Sequence, residues 1–549
     1  MGSIRRPRHR RVVHPVPDPG ALRLPCGLGA GPRSQSRHPR TGTPRGTHAA
    51  WARHGARGVK AEATVSQVVQ PAAEGCPRLV PWQSVSRGIC PGRTALPCLL
   101  AALLGLGGCA AVGPDPVAPQ IPVPAAWQTA LELPVVEGTA WWQGFKDPRL
   151  DALVAQALAA NPDLAVASAR LAEAAALVRA ERSDLYPIVD GLAEGNVFSR
   201  SDPGRDLDVV GIGGTLAFTP DLTGRQRRRI EAAIGTLNAR VADLADARRL
   251  LVAGVVEEYI EFRRTHAQLK LLDRALALQR QTLAIVEARF TAGLAARMDV
   301  QRATADAART SAQRGLLEAA RTDARITLAV LLGTHAGELE ITPPPQIEGD
   351  PPIYGAGPGA GLPAMVVRNR PDLRAAEARL LAAVSGIGVE VADLYPTLRL
   401  PGRISASTGS ATALTGQLFG VLGAVLDLPL LDAGRRRAEV AAARARADAA
   451  LALYQRTLLT ALNEVENALV AIRAAEDRRR ELEGAVAASE QAYEQLAALN
   501  REGLATFIDI LDAQRVLILS REAYVDSEAG LARAVVALHR ATGAPTGSG

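Results

Sequence analysis

Apolar residues recur every three or four positions along two very long stretches of this chain. From Ile230 the series runs Ile234, Leu237, Val241, Leu244, Leu251, Val255, Tyr259 and Phe262, then Leu269, Leu272, Leu276, Leu283, Val286 and Phe290. No Pro interrupts residues 221–342. This periodicity predicts a helix over about 225–291, roughly 100 Å long at about 1.5 Å per residue. A second stretch predicts an equal helix over 435–500. Gly293-Leu294 and Gly503-Leu504 close these helices, since Gly is the usual residue just past a helix end. Return helices are predicted over 298–332 and 506–540. A shorter helix over 162–182 places Leu164, Leu171 and Val178 seven apart, and Leu373, Leu380 and Ile387 repeat that register. Sevenfold spacing is a coiled-coil seam. Tyr186-Pro187 and Tyr395-Pro396 stop these helices, because the residue before Pro is pushed out of the α region. Asp147 caps a further short helix that starts at Pro148.

The period changes after each Tyr-Pro stop. Val210, Ile212, Leu216 and Phe218 alternate with Val209, Gly211, Gly213, Thr215 and Ala217, which is the period of a strand. Ser201-Asp-Pro-Gly204 is a turn signal, and Ser407-Thr-Gly-Ser410 with Thr415-Gly416 gives another. Residues 188–219 and 397–430 therefore read as hairpins set between helices, four strands in all. Gly224-Arg225 and Gly434-Arg435 mark the return from strand to helix, each opening a basic run.

These landmarks come in pairs. Asn161-Pro-Asp-Leu164 and Asp184-Leu185-Tyr186-Pro187 reappear as Arg370-Pro-Asp-Leu373 and Asp393-Leu394-Tyr395-Pro396, an offset of 209. From Gly224 onward the offset is 210. A period this long is a duplicated module rather than a solenoid of short units. The modules are expected over 148–341 and 364–549, joined by a Pro/Gly-rich linker at 342–363.

Net charge changes the picture only by its distribution. Residues 1–108 hold 16 Lys and Arg against 3 Asp and Glu, so the whole-chain +7 hides a remainder of −6. The basicity belongs to the leader, which removes the nucleic-acid reading that a basic chain invites. Residues 1–92 lack apolar periodicity and are expected to be a disordered leader or an extension upstream of the true start, for example at Val80 or Val85. Residues 93–108 then form a signal peptide: one Arg, a short apolar run, small residues. Leu106-Gly-Gly-Cys109 is similar to the bacterial lipobox, whose Cys becomes the lipidated first residue. All five Cys lie at or before Cys109, so the mature chain has no internal disulfide. Ala110 in place of Asp points to the outer membrane. Residues 109–147, rich in Pro, read as an extended lipidated tether.

Four strands cannot close a membrane barrel, because known single-chain barrels start at about eight strands. An open edge in lipid leaves backbone groups unpaired. If the hairpins enter the membrane, several chains must pool them, and their helices must continue the ring.

The lipobox, the Trp141-Trp142, Phe145 and Asp147-Pro148 opening, and the doubled Pro-Asp-Leu, Tyr-Pro, Gly-Arg and Gly-Leu landmarks together resemble the TolC family, in its lipoprotein (NodT/OprM-like) branch. The resemblance spans essentially all of 109–549. It implies a mainly α fold with a membrane β-barrel contribution: a homotrimer with a twelve-stranded barrel continued by a twelve-helix periplasmic tunnel. It implies an outer-membrane exit duct for drugs or other small solutes, working passively with a periplasmic adaptor and an inner-membrane pump, often of the resistance-nodulation-division type. Type I protein secretion and heavy-metal efflux are the alternatives within the family. A coiled-coil lipoprotein without a pore is the alternative outside it, and the two hairpins argue against that.

In the family the periplasmic end closes as an iris ringed by aspartates. The matching positions are Asp509 and Asp512, with Asp299 matching an aspartate of the first turn. Asp509 also fits a capping box with Thr506. Some members lock the iris with a Tyr and an Arg; Asn500 and Ala505 stand there in this chain, with Arg501 or Arg297 as substitutes. The Arg runs 225–229 and 435–437 read equally as lipid or lumen contacts and as solvated helix starts. No catalytic cluster, phosphate loop or metal-ligand spacing stands out. No enzyme activity, metal or cofactor is expected beyond the lipid on Cys109.

Overall fold

The computed structural model describes residues 111–129, 140–198, 207–339, 341, 351–352, 354, 361–408 and 418–544. Cys109, the leader and signal segment, both hairpin turns and most of the 342–363 linker lie outside them. One turn of 3-10 helix, Trp141–Phe145, precedes α1 (Pro148–Ala160) and α2 (Pro162–Ser183). Strands β1 (Ile188–Phe198) and β2 (Leu207–Phe218) follow, then the long helix α3 (Arg225–Thr291) and its return α4 (Arg297–Leu331). The second half repeats the plan with α5 (Pro363–Asn369), α6 (Pro371–Ala392), β3 (Thr397–Thr408), β4 (Leu418–Leu422), β5 (Val425–Asp427), α7 (Arg435–Arg501) and α8 (Phe507–Thr542). Helix α5, which the periodicity does not predict, occupies the place of α1 in the second module.

Both long helices have 67 residues, about 100 Å of unbroken rod. Among the described residues no helix is long and apolar enough to cross a membrane. Their ends are closed by backbone geometry. Gly293 (φ 74°) and Gly503 (φ 79°) take the left-handed conformation that side chains resist. Gly293 N–H donates to the Phe290 carbonyl at 2.9 Å and Leu294 N–H to that of Arg289 at 2.8 Å. Gly503 and Leu504 make the same pair of bonds to Asn500 and Leu499. This Schellman closure satisfies carbonyls the helix leaves open.

The main core is a belt near the midpoint of the long helices. Val252, Val256, Tyr259 and Ile260 of α3 share one buried cluster with Val465, Leu469 and Ile472 of α7, joined by residues from the ends of α4 and α8 and from the short helix α1. On the strand side of the belt, α2 and α6 pack against α3, and α6 against α7. On the other side α4 returns along α3, and α8 along α7. Within the belt, the fully buried Arg263 contacts the Asp147 carboxylate at 3.0 Å. Tyr259 donates to the same oxygen at 2.7 Å. The other Asp147 oxygen caps α1 by accepting from Arg149 N–H at 3.0 Å. Burial is the main cause that pushes the Tyr259 phenol up, so it stays a donor.

The duplication is visible in contacts as well as in residues. Asn161 caps α2 through Asp163 and Leu164 N–H, and its amide donates to the Leu331 carbonyl at 2.9 Å. At the equivalent place Arg370 donates to the Ala541 carbonyl at 2.8 Å and to Glu464 at 2.6 Å. In both modules the start of the strand-side helix ties down the end of the return helix.

His539 closes the belt from the α8 side. It stacks on Trp141 with ring centroids 4.7 Å apart and leans on Tyr354. Burial lowers its pKa from 6.5 to about 4, so the folded protein holds it neutral. The unfolded chain therefore binds the extra proton between those values, and stability must fall as pH drops from about 6.5 toward 4. We expect His539→Phe to flatten that part of the thermal-unfolding profile, by on the order of 3 kcal/mol at its acid end. An unchanged acid slope in the variant would contradict the assignment.

Candidate functional site

The four-strand path runs β1-β2-β3-β4, all antiparallel, with β5 also on β3. The two hairpins thus join into one sheet through β2 and β3. Directly paired residues share a face. One face carries Asp190, Thr215, Arg403 and Val421, then Leu192, Gly213, Ser405 and Phe419, then Glu194. The other carries Val189, Leu216 and Leu422, then Ile404, then Ala193, Ile212, Ala406 and Leu418, with Gly between. Val189, Ile212, Ile404, Leu418 and Leu422 on that second face are 51–77% exposed. Arg403 reaches Glu194 at 2.5 Å across the glycines of β2 on the polar face. An apolar face without charge and a polar face with ion pairs is the alternation of a strand between lipid and water.

The returning strand of the second hairpin was expected to be continuous. It is instead split into β4 and β5, although Gly402↔Leu422 and Arg399↔Val425 keep one register. The gap faces Pro401, which has no N–H to give the ladder. Gly423 N–H still donates to the Pro401 carbonyl at 2.9 Å.

The boundary between strands and helices is where the modules are tied together. Tyr186 and Tyr395 sit in the turns that end α2 and α6, their N–H groups bonded to the Ser183 and Ala392 carbonyls. Pro187 and Pro396 lead directly into β1 and β3. Gly224 (φ 75°) and Gly434 (φ 88°) turn the chain into α3 and α7. Arg225 pairs with Asp393 at 2.7 Å, joining the head of α3 to the end of α6. Arg435 pairs locally with Glu439 at 2.8 Å. Arg228 is buried rather than solvated or facing lipid. The basic runs could not reveal this, because nothing in the run itself separates Arg228 from its neighbours.

At the opposite end the turns Gly293-Leu294 and Gly503-Leu504 lie beside one cleft of about 520 Å³. Leu294 and Asp299 line it from the first module, Asn500, Ala505 and Thr506 from the second. Asn500 donates to the Ala505 carbonyl at 2.8 Å and accepts from Arg289 at 3.4 Å, bridging α3 and α7. Arg501 bonds back to the Ala497 carbonyl of its own helix. Asp509 is engaged in a capping box: it accepts from the Thr506 hydroxyl at 2.6 Å and N–H at 2.9 Å. The Thr506 hydroxyl and then its N–H hold the Asp509 carboxyl below its ordinary pKa. Asp512 is exposed and pairs with Arg515 at 3.2 Å, which also reaches Asp306 of α4 at 3.0 Å. Asp509 and Asp512 are outside the cleft that Asp299 lines. Among the described residues no group of three or more His, Cys, Asp or Glu could hold a metal.

The Thr506 cap has a measurable consequence. Thr506→Ala should cost about 1 kcal/mol at the start of α8. Hydrogen exchange of the first turn of α8 should rise, with the belt unchanged. Unaltered exchange there would show that the cap does not hold the turn.

Residues 153–334 and 362–544 each match the family model for outer membrane efflux proteins. Nodulation protein T of Rhizobium leguminosarum bv. trifolii is 31% identical over 440 residues, covering 78% of this chain and 91% of that protein. The solvent efflux pump outer membrane protein SrpC of Pseudomonas putida is 29% identical, covering 80% of this chain and 96% of that protein. The solved outer-membrane channel OprN superposes with a TM-score of 0.73 at 33% identity, over 79% of this chain and 99% of the other. The family consists of channels, not enzymes. With hairpins of two-faced strands at one end and paired helix turns about a long rod away, the chain belongs to the outer membrane efflux protein (TolC) family and serves in the outer membrane as an efflux duct with a periplasmic tunnel.

Proposed function

We propose that three copies of this chain pool their strands into a closed twelve-stranded barrel, continued by a tunnel of twelve helical segments. The observation that carries this is the open four-stranded sheet with one apolar and one polar face. Such a sheet is stable in lipid only when its outer strands find partners. The duct is passive; an inner-membrane pump of the resistance-nodulation-division type and a periplasmic adaptor supply the drive. Leu294 and Leu504, 73% and 76% exposed at the helix turns, support docking of a partner protein there. The solutes are drugs or other small molecules, in keeping with the solvent efflux named for SrpC. Cys109 bears the lipid that anchors the mature chain. Native mass spectrometry in detergent should give a trimer, and planar bilayers should show trimer-dependent conductance. Monomer alone with no conductance would refute the barrel.

Asp509, Asp512 and Asp299 are the residues of the periplasmic aperture in this reading. Asp509 and Asp512 lie three apart near the start of α8, where they share a face. Carboxylates from three chains repel one another in a narrow opening, and cations relieve that repulsion. Divalent cations on the periplasmic side should therefore lower single-channel conductance. Replacing Asp509 and Asp512 together by Ala should weaken that block severalfold and reduce cation preference while trimers persist. Unchanged block and selectivity would leave Asp509 as a cap and Asp512 as a partner of Arg515.

A further inference from the structure

A second pocket, sharing no residue with the cleft at the turns, has a volume of about 140 Å³. It lies where α3 and α4 of the first module meet α8 of the second. Gln279 of α3 and Gln514 of α8 line it, and they are 9% and 1% exposed. Gln279 Oε1 and Gln514 Nε2 are buried without a hydrogen-bond partner among the described residues. Buried amide groups are nearly always paired, because leaving one unpaired is costly. The charges at the pocket are already matched: Asp306 of α4 pairs with Arg309 at 3.2 Å and with Arg515 at 3.0 Å. Glu522 adds a half-buried carboxyl whose pKa is pushed up by burial and then by Asp526. The duplicate of this place is built differently. At the offset of 210, Gln279 becomes Ser489 and Thr310 of the pocket wall becomes Ser520. Those two hydroxyls bond to each other at 3.2 Å. The second module thus pairs its side chains directly at this level, whereas Gln279 Oε1 meets no donor among the described residues.

We infer that this pocket is a binding site for a small neutral molecule that carries an N–H donor beside an acceptor, an amide being the simplest. Gln279 Oε1 and the Glu522 carboxyl receive its N–H groups, and Gln514 Nε2 donates to its oxygen. The other classes of ligand fit less well. An anion would have to draw Arg309 and Arg515 away from Asp306. A cation would meet the donor end of the Gln514 amide. An apolar molecule would leave both amides unpaired. One water takes a share of about 30 Å³ in the liquid, so the volume suits a molecule of several heavy atoms. Both modules contribute to the site, so its ligand ties α3 to α8. The site lies within one chain and needs no second copy.

The test is saturation-transfer NMR of the full chain in deuterated detergent. Acetamide is the probe, and acetone is its isostere without N–H. Acetamide should bind saturably and acetone should not. Gln279→Leu nearly keeps the side-chain volume and removes the acceptor, so it should weaken acetamide binding roughly fivefold, the worth of one lost hydrogen bond. Leu519→Trp changes only the mouth of the pocket, where Leu519 is 56% exposed, and should weaken binding by obstruction. This second variant leaves the buried amides in place, so it reads the site even where Gln279→Leu fails to fold. A pocket that holds water alone would give no saturable acetamide signal, and that result overturns the site. An equal signal from acetone, or acetamide binding unchanged in both variants, overturns it as well.

Discussion

Hydrocarbon offers no partner to a peptide N–H or carbonyl, and this constraint governs the whole molecule. The chain supplies one sheet path of four strands, with β1 and β4 at its ends. Its apolar face has nothing to pack against within the described chain, and several of its large residues stand more than half exposed. A soluble protein would hide that face under a helix. Here the described helices pack on one another rather than on the sheet. The sheet is therefore one piece of a wall whose remainder comes from further copies in the proposed trimer, and the helices below inherit the spacing the wall imposes.

Carrying that geometry over about 100 Å requires stiffness and cross-ties rather than a globular core. The belt around Tyr259, Arg263 and Asp147 provides the main tie at mid-length. The ion pair there is fully buried, and the further bonds that Asp147 accepts from Tyr259 and from the Arg149 N–H offset part of the cost of burying charge. A second tie lies at the strand boundary, where Arg225 links the modules through Asp393 and Arg228 pairs with Asp115. A third lies at the far turns, where Asn500 joins α3 to α7. In this chain it holds its own turn closed by donating to the Ala505 carbonyl.

Local signals made much of this legible. Gly-Leu doublets, Tyr-Pro stops, the Asp147 cap and period-two alternation each act within a few residues, so the helix ends and the strands could be read from residues alone. The split opposite Pro401 is not predicted by the alternation, although the missing N–H behind it is written in the residue type. What was not legible depends on residues far apart in sequence. Arg228 is indistinguishable from Arg227 or Arg229 until Asp115 comes within reach, 113 positions away. The pairing of Arg515 with Asp306, and hence the company kept by Asp512, likewise exists only once α4 and α8 lie side by side. At the candidate aperture the sequence shows which acids stand near the turn, but not which are already engaged as caps or ion pairs.

The central claim is that the outer strands of one copy pair with those of the next. Every Cys of the chain lies at or before Cys109, so new cysteines report cleanly. The direct measurement is oxidative cross-linking in membranes of Gly191→Cys on β1 combined in turn with cysteines at Leu418, Gly420 and Leu422 on β4. The account predicts that at least one combination gives a ladder ending at three linked chains, and that no single variant does. Unlinked chains in every combination, with the protein folded and in the outer membrane, would contradict it.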